Sequence, residues 1–153
     1  MLGSFIGSVR ERMERFGASL ADSGTASSLE VDEDGGLKIT IYRDSDQQAA
    51  SVEMTGTTEV YFLSLAGGYE IHDIAHDAEG KWAILENFLE SARAFAEGKY
   101  HEEIYERNGK TLLRTIHLRA EDGPRVISTS GGWLAGLNRL LGYKKSVVYP
   151  PSR

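Results

Sequence analysis

At 153 residues, 41% hydrophobic and 26% charged, the chain holds enough apolar material for one core and too much for a disordered polymer. Its formal net charge of −6 weighs against non-specific nucleic-acid binding, which needs Lys and Arg to neutralise phosphates. Cysteine is absent, which rules out disulfides, thiolate zinc sites and cysteine nucleophiles and fits a reducing compartment.

A chain of this size buries roughly two thirds of its unfolded surface, so no covalent or metal staple is required. No run approaches the roughly 18 apolar residues of a membrane span. The N-terminus lacks the basic start and apolar core of a signal peptide, and Arg10, Glu11 and Arg12 arrive early. With no repeat, low-complexity tract or dividing linker, the expectation is a single cytoplasmic domain over residues 1–153.

Leu2, Phe5, Ile6, Val9, Met13, Phe16 and Leu20 recur at spacings of three and four, with Arg10, Glu11, Arg12, Glu14 and Arg15 between them. The spacing predicts an amphipathic helix lying on the core. A membrane-surface helix is the competing reading, and the mixed charge of the polar face disfavours it. Residues 21–28 are small and polar, as in a loop. Two strands, Ser28–Val31 and Leu37–Arg43, flank Asp-Glu-Asp-Gly-Gly. In the second, Leu37, Ile39 and Ile41 alternate with Lys38, Thr40 and Tyr42, the pattern of a half-buried strand. Asp44–Gln48 is a polar turn, and Ala50–Met54 a weaker strand.

Glu59–Leu65 is apolar on both faces and predicts a central strand covered on both sides. Gly67-Gly68 turns the chain, and Tyr69–Ile74 returns antiparallel. Between residues 78 and 97 the period becomes helical through Trp82, Leu85, Phe88, Leu89, Ala92 and Phe95, with Asp77 as N-cap and Gly98 as stop. Asn108-Gly109 joins Tyr100–Arg107 to Lys110–Leu118 in a hairpin. Asp122-Gly123-Pro124 is a turn before a strand at Arg125–Ser128. Trp133, Leu134, Leu137, Leu140 and Leu141 mark a short helix ending at Gly142, and Ser146–Tyr149 a last strand before Pro150-Pro151. The fold class is α+β: an antiparallel sheet of about six or seven strands with two or three packed helices.

No residue set of a known chemistry stands out. His72 and His76 share a strand face but lie about 13 Å apart by rise per residue, too far to chelate one ion unless the segment were helical. His101-Glu102-Glu103-Ile104-Tyr105 begins like a zinc-protease motif, yet Tyr105 stands where its second histidine belongs. His101, Glu103 and Tyr105 are read instead as the polar face of a strand. Gly67-Gly68 is a turn pair without phosphate-loop spacing, and Gly131-Gly132 precedes a helix whose N-terminus is an anion-binding candidate. No Gly-x-Ser-x-Gly elbow occurs, and carboxylate pairs among 23 acids are expected by chance. No catalytic residue, metal ligand or cofactor is assigned. Asp32, Glu33 and Asp34 in one turn, with Asp44 and Asp46 in the next, are read as solvated loop tips or, gathered at one end of the sheet, as an acidic knob that docks into a basic cleft of a partner.

Three blocks carry a resemblance: TTEVYFLSLAGGYEIHDIA from Thr57 to Ala75, the helix WAILENFLESARAFAEG, and the hairpin KYHEEIYERNGKTLLRTI. Together, over residues 57–140, they are similar to small actinobacterial immunity proteins encoded beside secreted polymorphic toxins. That group includes the immunity factor of the tuberculosis necrotizing toxin, an NAD glycohydrolase. The resemblance implies a non-enzymatic protein that binds a cognate toxin encoded by the adjacent gene and covers its active site in the producing cell. It assigns no individual site residue. The alternatives are a secretion chaperone or adaptor, with the first helix as an exposed binding element, and a small-ligand-binding domain with weak enzymatic activity.

Overall fold

The computed structural model describes residues 2–44, 47–129 and 144–150, which form two helices and nine strands. In chain order these are α1 (Leu2–Asp22), β1 (Ala26–Val31), β2 (Leu37–Asp44), β3 (Gln47–Met54), β4 (Val60–Leu65), β5 (Tyr69–Ile74), α2 (Ala78–Ala96), β6 (Tyr100–Arg107), β7 (Lys110–Ala120), β8 (Gly123–Ser128) and β9 (Lys144–Val148). All pairings are antiparallel. The α+β class is as expected, but the strands divide into a five-stranded sheet, β1-β2-β3-β4-β5, and a four-stranded sheet, β8-β7-β6-β9. The helix expected at Trp133–Gly142, and the Gly131-Gly132 pair before it, lie outside the described residues. No described helix is long and apolar enough to cross a membrane.

Cross-strand register builds the core of the first sheet in rows. Leu37, Met54 and Tyr61 form one, Ile39, Val52, Leu63 and Ile71 the next, and Ile41, Ala50, Leu65 and Tyr69 a third. Over these rows lie Leu85, Phe88, Leu89, Ala92 and Phe95 of α2. Beside α2, α1 buries Val9, Met13, Phe16 and Leu20. The two helices are joined by side chains. Arg12 donates twice to the Glu86 carboxylate, at 2.6 and 2.7 Å, and Arg93 lies 4.9 Å above the Phe16 ring while donating to Ser19 Oγ. A bidentate pair of this kind fixes orientation as well as distance.

The helix signals act as their residues predict. Asp77 Oδ1 accepts from the Gly80 amide at 2.7 Å, and Gly98, at φ +73°, ends α2 with Lys99 N donating back to Ala94 O. At the β6–β7 turn Asn108 and Gly109 both have positive φ, which a two-residue hairpin turn with the native twist requires.

β1 and β3 begin earlier than expected, at Ala26 and Gln47 within the stretches read as loop and turn, β9 runs Lys144–Val148 instead of Ser146–Tyr149, and two strands differ in character from their sequence reading. β3 is the central strand of its sheet, with Ala49, Ala50, Ser51, Val52 and Met54 all buried. Its small side chains look weak in isolation, but pairing on both edges supplies what they lack. β4 is fully buried on one face only: Tyr61, Leu63 and Leu65 are enclosed, whereas Val60, Phe62 and Ser64 are half-buried. Phe62 is accounted for by a cross-strand ring contact with His72, centroids 6.0 Å apart, and not by a second covering layer.

This asymmetry sets an expected result. Leu63→Ala should lower unfolding free energy by about 3 kcal/mol in chemical denaturation, through lost transfer energy and a cavity. Phe62→Ala should cost about 1 kcal/mol, the scale of a cross-strand pair. Equal losses at the two positions would mean that β4 is covered on both faces.

Candidate functional site

The β6–β7 hairpin gathers the chain's most concentrated polar chemistry. Alternation along β6 sends Tyr100 into the core beside Phe95, where the rings stack at 4.5 Å, and sends His101, Glu103 and Tyr105 to the opposite face. That grouping on one face is as the sequence predicts. The register places His117 of β7 across from His101 and Thr115 across from Glu103. On the other side, β9 sets Val147 across from Glu103 and Lys145 across from Tyr105.

A single bulge decides which side chains meet. The hairpin leaves its turn with Arg107 opposite Lys110 and Glu106 opposite Thr111, then shifts register so that Tyr105 faces Leu113. Without the extra residue, Ile116 would face His101. With it, His117 does. The His101 and His117 rings stack at 4.6 Å and 4° from parallel, and Tyr149 tilts against His101 at 5.9 Å.

Glu103 stands at the centre. Its Oε1 takes a 2.7 Å contact from Lys145 Nζ, and its Oε2 accepts from the Tyr105 hydroxyl at 2.7 Å. The same Oε2 lies 3.3 Å from His117 Nε2. Hydrogen bonds from Lys145 and then Tyr105, against an opposing effect of burial, hold the Glu103 pKa down at about 2. The group is therefore an anion at neutral pH, with its side chain only 16% exposed. His117 Nε2 is buried and makes an ion-pair contact with Glu103 at 3.3 Å, without a hydrogen bond among the described residues. One donor atom each from His101, Glu103 and His117 lies within 4.8 Å of the other two. Two imidazoles and a carboxylate form a donor set suited to zinc, nickel or copper.

The sequence-predicted acidic site does not assemble. Asp32, Glu33 and Asp34 form the β1–β2 turn, whereas Asp44 ends β2 at the β2–β3 turn. Successive turns of an antiparallel meander fall at alternate ends, so the length of β2, about 23 Å at ~3.3 Å per residue, separates the two groups. Asp46 lies outside the described residues. Asp32 is used internally: its Oδ1 accepts from the amides of Asp34 and Gly36 at 2.9 and 2.7 Å. A side chain at Gly36 would strike that carboxylate, which explains the glycine. His72 sits beside Phe62, while His76 is 79% exposed with Nδ1 3.4 Å from Glu59, so these two histidines form no joint site.

An open groove of about 330 Å³ between β5 and α2 is lined by Ile71, Asp73, Ala83, Ile84, Asn87 and Phe88. It lacks the convergent buried polar groups that orient a metabolite. No protein-family model, curated protein or solved structure matches the chain.

Asp32→Ala should destabilise the fold by about 1 kcal/mol, because two turn amides lose a charged acceptor. Glu33→Ala and Asp44→Ala should stay within about 0.5 kcal/mol of the parent, as surface changes do. Urea midpoints of the three variants check this. Equal effects at the three positions would deny Asp32 its structural part.

Proposed function

We propose that the chain is an immunity protein that binds a cognate secreted toxin in the producing cell and blocks its active site. The toxin class is an NAD glycohydrolase and its source the adjacent gene. One observation supports a reading of protein binding: the outward face of the five-stranded sheet carries an acid-rimmed band of polar and aromatic side chains. Register sets Ser28, Thr40, Ser51 and Ser64 in one continuous row across four strands, ending at Glu70 on the fifth. The adjoining row reads Glu30, Lys38, Glu53, Phe62 and His72. Tyr42 borders the other side, its hydroxyl 3.2 Å from Ser28 Oγ.

Thr40 and Ser51 are buried in the middle of the row, so the half-buried Lys38, Tyr42, Glu53 and Phe62 around them make the contact surface offered to a partner. Half-buried aromatic rings supply anchoring area, and three carboxylates favour a basic partner. A site that cleaves NAD must accommodate a pyrophosphate, so basic groups on the toxin would meet acids here. The two acidic turns flank the face at opposite ends instead of forming a knob.

The chaperone alternative needs α1 as a free binding element, and the buried Val9, Met13, Phe16 and Leu20 weigh against it. The reading as a small-ligand-binding domain with weak activity draws support from the His101–Glu103–His117 cluster.

Co-expression with the adjacent gene's product tests the immunity reading by growth and co-purification. The neighbour should kill cells alone and be silenced in a stable complex. Ser64→Arg should weaken that complex about tenfold or more with an unchanged melting temperature. Glu30→Lys with Glu53→Lys should slow association and flatten its salt dependence. A harmless neighbour, or one that does not bind, ends the immunity reading. Intact binding by these sheet-face variants moves the interface elsewhere.

A further inference from the structure

The geometry points to a metal site: His101, Glu103 and His117 bind a divalent transition-metal ion, zinc foremost, on the outer face of the four-stranded sheet. This inference is independent of the partner-binding reading and concerns the other sheet.

Distances favour it first. Zinc holds nitrogen and oxygen ligands at about 2.0–2.1 Å in a tetrahedron, which separates neighbouring donors by about 3.3–3.4 Å. His117 Nε2 and Glu103 Oε2 already stand 3.3 Å apart. The remaining donor, from His101, completes a set lying within 4.8 Å. Closing it to coordination distance takes a shift of at most roughly 1.5 Å along any edge, together with rotation of the stacked His101 and His117 rings out of parallel about χ1 and χ2 so that both lone pairs meet one ion.

The bonding state of the donors favours it next. His117 Nε2 is buried with an ion-pair contact of 3.3 Å to Glu103 but no hydrogen bond, and buried nitrogens left so are uncommon because burial strips them of water. A metal ion would satisfy this nitrogen and the facing Glu103 oxygen together. Oε2 has two acceptor positions, and Tyr105 uses one. Oε1 is held by Lys145 at 2.7 Å. The carboxylate is thus oriented from behind by Lys145 and Tyr105, the arrangement by which supporting groups aim a metal ligand.

The ligand set is two histidines and one carboxylate, which leaves a tetrahedral ion one further position for water or an external group. Imidazole donors select zinc, nickel or copper over magnesium and calcium, which take oxygen ligands. The ligands come from two adjacent strands of one hairpin, so the ion would clamp β6 to β7 across the bulge that brings His117 opposite His101.

The chain has four histidines, two in the cluster and two outside it, so it supplies its own control. The test is isothermal titration of the tag-free, chelator-treated full chain with Zn²⁺, and separately with Mg²⁺. One equivalent of Zn²⁺ should bind with micromolar or tighter affinity, and Mg²⁺ should not bind measurably. His101→Ala, His117→Ala and Glu103→Gln should each weaken Zn²⁺ binding at least tenfold. His72→Ala with His76→Ala should leave it unchanged. Metal-free melting curves identify any variant that fails to fold. For such a variant, Co²⁺ added to the parent protein provides a second readout, since a four-coordinate site gives intense visible absorption and the imidazole NMR signals of His101 and His117 should be the ones perturbed. Absence of one-equivalent binding would overturn the inference. So would binding that survives loss of both His101 and His117, or that disappears with His72 and His76.

Discussion

Two sheets share one helix, α2, which α1 joins in covering the first of them, and the rest of the molecule is arranged around that sharing. α2 packs on β2, β3, β4 and β5 and also on β7. An amphipathic helix normally buries one stripe. Here the buried set, which includes Leu85, Phe88, Leu89, Ala92, Ala94, Phe95 and Ala96, runs around more than one side as the helix approaches the second sheet. The small residues at its C-terminal end allow close approach, and Phe95 then stacks on Tyr100 as the chain enters β6.

Where the sheets meet, polar groups supplement apolar contact. Arg43 of β2 donates to the Tyr100 hydroxyl at 3.1 Å and lies over the Phe95 ring. Arg114 of β7 donates to Gly67 O in the β4–β5 turn, pairs with Glu102 and covers the Tyr69 ring. Burial raises the Tyr69 phenol to about 12, so it stays neutral throughout the physiological range. An arginine with fixed partners on both sheets is directional in a way that apolar packing is not, and it orients the β7 strand relative to the β4–β5 turn.

Much of the secondary structure was legible because each local signal acts over a few residues. Asp77, Gly98 and Asn108-Gly109 specify a cap, a stop and a turn, and β2 shows its buried face by alternation. The sequence reading missed what depends on distant pairing. Ala50–Met54 reads as a weak strand until two neighbours enclose it. Phe62 reads as core until its cross-strand partner is known to be His72. The expected acidic knob failed on topology, since the turns at Asp32–Asp34 and Asp44 belong to opposite ends of any meander. His117 had no sequence signal linking it to His101: a two-residue turn alone predicts Ile116 there, and a one-residue bulge overrides it.

With α2 packed on the inner faces, the outer faces are the broad surfaces that the described sheets leave open, and these differ in kind. The first carries small hydroxyls and rings in long straight rows, a geometry that rewards an extended complementary surface. The second brings three donor atoms within 4.8 Å, a geometry that rewards a single small ion. The difference traces to backbone regularity. β1 through β5 keep an unshifted register through the hydroxyl row, and their irregularities begin only past Ile41. β6 and β7 carry their bulge between the turn and the histidines. An even ladder spreads like side chains across a surface, and a shifted one brings residues together that the simple turn register would keep apart. The same antiparallel architecture therefore yields a broad face on one sheet and a focused cluster on the other.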